Sequence, residues 1–242
     1  MPPLECPQRS DPRTILLLYS GLLAAVAGWV NSVALLVWVY PVGNLTALTT
    51  KIGQHTTNSL LHPGGMIAAI VAGFLIGVLG AGSLLAPAQS PTGPRHAAVL
   101  LGEAALLVAA AGIEHPLIRA PLAAAACGLQ NGMTSSFPGM PIRTTHFTGT
   151  ITDLGLLVAR SHRHGIDHWK AALLTSTVLL FIGGAAGGVI LGGRIGDHAL
   201  IPAAITCGGL AIAHVLRFRW HRSLAVDTAP ALEPGQNGDA PS

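Results

Sequence analysis

Six neutral polar side chains stand where an apolar chain has least use for them: Asn31, Asn44, Gln130, Asn131, Thr148 and Thr150. Amides and hydroxyls donate and accept hydrogen bonds, so a set of them among apolar residues suits the selective holding of a small molecule or ion. Four ionisable residues complete the group: Glu103, Asp153, Arg143 and His146. Glu103 lies about two turns inside an apolar run, where it would either carry a proton or hydrogen-bond a neighbouring helix. Asp153 would close a helix start in a capping box with Thr150, or hold a proton or cation. Arg143 and His146 would neutralise Asp153, contact a bound molecule, or anchor the loop that carries them.

Catalytic patterns are absent from the sequence. There is no nucleophile elbow, zinc-peptidase helix or phosphate loop, so no catalytic residue and no cofactor is assigned. Cys6, Cys127 and Cys207 lack metal-ligand spacing, and His162, His164 and His168 fall in a basic loop that suits a solvated role. No metal site is assigned. The basic residues are spread among loops rather than gathered with aromatics, which argues against nucleic acid as a partner.

The elements that must position these residues follow from composition. Half of the 242 residues are hydrophobic, 10% are charged and the mean hydropathy is +0.57. Such a chain is a polytopic, all-α membrane protein. Residues 1–13, with four prolines, and 221–242, rich in Pro, Gly and Ala, are expected as disordered tails around a membrane domain at 14–220. Residues 24–31 (AAVAGWVN) match 124–131 (AAACGLQN), and Phe74, Gly77 and Gly80 match Phe181, Gly184 and Gly187. Gly43 to Thr46 is matched to Gly149 to Thr152. These pairs define a repeat, at about 14–113 and 117–217.

Each repeat is expected to hold three spans and a short amphipathic or re-entrant helix, with its first span broken around Gly28 and Asn31 or around Gly128 to Gly132. The glycine rows at Gly73 and Gly77, and at Gly184 and Gly188, provide small-residue faces for internal packing or a homodimer. With both termini inside, ten of the 13 Lys and Arg residues fall on the inner side, leaving Lys51, Arg119 and Arg194 outside. This places the chain in the inner (plasma) membrane with cytoplasmic termini, and makes two repeats of three crossings inverted with respect to each other.

The segments GWVNSV (28–33), VGNLTAL (42–48), GLQNGM (128–133) and RTTHFTGTITDLG (143–155) resemble the signature segments of the YoaK-like family of uncharacterised bacterial inner-membrane proteins, domain of unknown function 1275. The resemblance runs from about Leu16 to Arg217, and its specific part is Arg143 to Thr150. It implies an integral membrane protein of about six spans with no established substrate. Val42 stands where the family pattern has Thr.

Two interrupted spans at matching positions of inverted repeats point to a secondary transporter or permease for a small solute, bound between them. The amides at two helix starts favour an anion, which Asp153 would offset. A membrane-embedded binding or signalling protein is the second reading, and an intramembrane enzyme the third.

Overall fold

The computed structural model describes residues 12–55, 61–85, 93–136 and 144–227. All of the secondary structure among them is helical: α1 (Pro12–Trp38), α2 (Leu45–His55), α3 (Leu61–Leu85), α4 (Pro94–Gly112), α5 (Pro116–Ser135), α6 (Phe147–His164), α7 (His168–Ile195) and, after a 3-10 turn at Gly196–Leu200, α8 (Ile201–Asp227). Residues 1–11 and 228–242 of the expected tails fall outside the described residues, whereas 12–13 open α1 and 221–227, expected as tail, continue α8.

Local chemistry sets the boundaries. Pro94 and Pro116 open α4 and α5, where a missing amide hydrogen costs nothing and the ring presets the helical φ. α1 ends as Val39 turns into the left-handed region at φ 65, followed by Pro41, which cannot continue a helix. Gly196, at φ 60, parts α7 from α8.

Among the described residues, four helical stretches are long and apolar enough to cross a membrane: Arg13–Trp38, Gly64–Leu85, Pro94–Gly112 and His168–Trp220. The last, at 53 residues, contains α7, the 3-10 turn and most of α8. Large apolar side chains stand exposed on these helices, among them Leu75, Ile76, Leu79, Leu179, Ile190, Ile205 and Ile212. Water would penalise such a surface, and lipid would not.

Inside the bundle, α1 packs along α7, α3 along α5, and α4 against both α5 and α8. Glycines bring the first two pairs together. A Cβ on Gly28 would collide with the Phe181 carbonyl and approach the Ala185 nitrogen, and a Cβ on Gly128 would collide with the Phe74 carbonyl and approach the Val78 nitrogen. Gly184 and Gly77 return these contacts, against Ala25 and Ala125. The glycine rows are thus consumed by packing within the chain.

The breaks expected in the first span of each half are not there. α1 runs unbroken through Gly28 and Asn31, and α5 through Gly128 to Gly132. The glycines serve close backbone approach, which a regular helix allows, and the asparagines use their side chains on neighbouring turns instead of repairing lost helix hydrogen bonds.

Candidate functional site

After α1 the chain turns back on itself, and the Gly43 amide donates to Asn31 Oδ1 at 3.0 Å. One residue on, Asn44 Oδ1 accepts from the Ala47 amide at 3.1 Å and caps α2, as its residue type predicts. The entry to α6 is held in a similar way. Asn131 Nδ2 donates to Thr145 Oγ1 at 2.8 Å and to the Cys127 carbonyl at 3.0 Å. Each asparagine thus belongs to a long helix and fixes the turn that starts a shorter one.

These two turns meet. A Cβ on Gly43 would lie 3.3 Å from the Thr145 methyl and 3.4 Å from Asn31 Oδ1, so the position has no room for a side chain without displacing one of them. On one side of the contact lies a cavity of about 850 Å³, walled by Phe74 and Val78 of α3 and by Asn131 and Ser135 of α5. On the other lies one of about 360 Å³, walled by Asn31 and by Phe181 and Ala185 of α7. Gly43, Asn44, Thr145, Phe147 and Thr148 line both. The Phe147 and Phe181 rings, 5.8 Å apart, close one edge of the smaller cavity.

The electrostatics come from the backbone. The first amides of a helix have no intrahelical acceptor and carry its positive end. Neither α2 nor α6 has an acidic residue in its first turn, and no side chain caps α6. Among the described residues, neither lining contains Asp, Glu, Lys or Arg, and His146 is the titratable side chain in the larger one. Amides, hydroxyls and two positive helix ends can hydrogen-bond a small electron-rich molecule.

A family model described as "Protein of unknown function (DUF1275)" matches residues 19–213. The chain belongs to the DUF1275 family. No curated protein and no solved structure matches it. The match takes in both entry turns of this DUF1275 protein, together with the asparagines that hold them.

Of the residues expected to bind, Asn31, Asn44, Asn131 and Thr148 line the cavities, joined by His146. Gln130 and Thr150 do not. Gln130 is buried and donates from Nε2 to the Leu23 carbonyl at 2.6 Å, tying α5 to α1. Thr150 lies within α6 and donates to the His146 carbonyl at 3.1 Å. The expected capping box is absent, because the Asn131–Thr145 bond starts α6 one turn earlier, at Phe147, with His146 as its N-cap. The entry turn that answers Gly43-Asn44-Leu45-Thr46 is therefore Thr145-His146-Phe147-Thr148, and not Gly149 to Thr152. Asp153 is exposed on α6 and lines neither cavity. Glu103 is buried in α4, away from both linings. Arg143 lies outside the described residues.

Sequence reasoning missed two features. Thr145 holds the second turn, and its signal was its place beside His146, matching Gly43 beside Asn44. The other is a knot between α1, α5 and the 3-10 turn: Asp197 accepts from Arg119 Nη1 at 2.8 Å and from Trp38 Nε1 at 2.6 Å, with the Arg119 guanidinium 5.1 Å from the centre of the Trp38 ring.

Proposed function

We propose that this DUF1275 protein is a secondary transporter for a small anion, which it binds where the starts of α2 and α6 meet. The observation that carries this reading is the contact of two helix entry turns at Gly43 and Thr145, flanked by cavities whose linings, among the described residues, contain no carboxylate. Helix-terminal amides favour an anion, and in hydrocarbon their field is weakly screened.

The transport part of the proposal rests on pseudo-symmetry. The contacts of Gly28 with Phe181 and of Gly128 with Phe74 relate residues 100 and 107 apart, as the sequence repeat does. Six crossings in two inverted repeats account for this exchange of partners, each first helix packing on the other half's α3 or α7. A site at the junction of such halves can open to either face as they rock. The excess of Arg and Lys on one side favours the inner membrane with both termini cytoplasmic.

The test is uptake into sealed proteoliposomes, with labelled phosphate, sulfate and short carboxylates beside a matching set of cations. Saturable uptake of an anion, lost in Asn131→Ala, supports the proposal. Movement of cations alone, or of nothing, overturns it. Anion binding to the purified protein without flux would move the site to a receptor role.

A further inference from the structure

A second group of buried polar residues lies apart from both cavities. Glu103, on α4, is 1% exposed, and one of its carboxyl oxygens, Oε2, has no hydrogen-bond partner. Around it stand Cys207 of α8, which shares a hydrogen bond with the carboxyl, Cys127 of α5 and Tyr19 of α1, each within electrostatic range. Among the described residues, none of the groups that interact with Glu103 is a cation. An ionised carboxylate so placed would be buried without a counter-charge, which costs several kcal/mol or more, so its resting form is the neutral acid.

The group continues towards the end of the bundle where α4 begins. His96 and Glu103 are seven residues apart on α4, and His214 and Cys207 are seven apart on α8, which puts each pair on one face about 10 Å apart along its axis. The His96 and His214 rings stack at 6.4 Å, and Tyr19 meets His214 edge-on at 4.9 Å. His214 is 8% exposed with Nδ1 unpartnered, and Arg217, one turn beyond it on α8, is the charge that acts on it. The Tyr19 hydroxyl donates to Met133 Sδ at 3.5 Å, and the exposed Arg95 and Arg217 stand one and three residues from His96 and His214 on α4 and α8.

We infer that Glu103 is a proton-binding site, loaded and emptied past His214 and His96 from the end of the bundle that carries Arg95 and Arg217. In the outward step the O–H bond at Glu103 breaks, leaving a carboxylate. The proton leaves towards the end of the bundle where the two imidazoles stand, and His214 Nδ1, which has no partner, can take it up and become imidazolium. The imidazolium then releases its proton to water. The carboxylate so formed is unstable in place, so emptying the site drives α4 and α8 to rearrange or to refill it. A structural hydrogen bond would need only an amide at position 103, and that difference is what a test can read.

The test is difference infrared spectroscopy on the intact protein in lipid vesicles with no solute added, so it stands whether or not the cavity transports an anion. The wild type is expected to show a protonated-carboxyl band that disappears as pH is raised and returns as it is lowered, and that is missing from Glu103→Gln. Exchange of this proton for deuterium should be several-fold slower in His214→Leu than in the wild type. A band that ignores pH, or that persists in Glu103→Gln, overturns the proton site. An unchanged exchange rate in both His214→Leu and His96→Leu overturns the route. The amide bands of each variant report whether its helices are intact.

Discussion

Asn131 donates to the Thr145 hydroxyl at 2.8 Å, and through that bond the long helix α5 decides where the shorter α6 begins. The bond joins residues 14 apart across an end of the larger cavity, so it is a support for the site as well as part of its wall. Asn131→Ala and Thr145→Val should each lower stability, with a coupling of about 1 kcal/mol between them in a double-mutant cycle. Asn31→Ala should cost about 1–3 kcal/mol, since it leaves the buried Gly43 amide unpaired. Unfolding in detergent measures both, and additive effects of the first pair would show that their hydrogen bond contributes nothing.

Gly128 and Gly28 face backbone, not flexible side-chain ends, so a methyl group there has nowhere to go unless two helices part. Gly128→Ala and Gly28→Ala are each expected to cost about 1–3 kcal/mol. Gly209, inside α8 and exposed, has nothing within 4 Å of the Cβ position. Gly209→Ala should therefore stabilise, by about 0.5–1 kcal/mol, through the lower entropy of its unfolded chain. Thermal melts of the three variants would test the sign, and a stabilised Gly128→Ala would refute the packing role.

Asp197 is shared by Arg119 and Trp38, with the Arg119 and Asp197 side chains 17% and 26% exposed. Partial exposure screens the pair, yet two donors depend on one carboxylate. Asp197→Asn should be tolerated better than Asp197→Ala, which strands both donors and should cost about 1.5–3 kcal/mol. Equal losses in the two variants would mean that charge, and not hydrogen bonding, holds the knot.

The membrane class and the all-helical build could be read from the chain, because uninterrupted apolar runs between prolines and glycines leave few alternatives, but α8 runs on to Asp227, past the expected end of the membrane domain at 220. The site was legible in part. Asn31 and Asn131 stand out as amides in apolar surroundings, and each holds an entry turn and lines a cavity. The function of Gly28 and Gly128 did not show, since a glycine that bends a helix and one that admits a neighbour look alike until the neighbour is known. The capping box failed for a related reason: Thr150 to Asp153 satisfies a local capping rule, while α6 begins at Phe147, after an entry turn held by a bond from α5. Arg119 and Asp197, 78 residues apart, share no local pattern.

Thr148 separates a binding site from a structural feature, because one substitution there should move stability and uptake in opposite directions. It stands in the first turn of α6, is exposed, and lines both cavities. A carboxylate at that position meets the positive end of a helix that has no side-chain cap, so Thr148→Asp should stabilise the protein by about 0.3–1 kcal/mol. The same charge would fill the field that attracts an anion and repel the anion itself. Uptake should fall steeply and the apparent KM should rise, while the melting temperature holds or increases. Thr148→Val removes the hydroxyl without adding charge and should have a smaller effect on uptake. If Thr148→Asp transports as well as the wild type, the helix starts do not bind an anion, however stable the variant is.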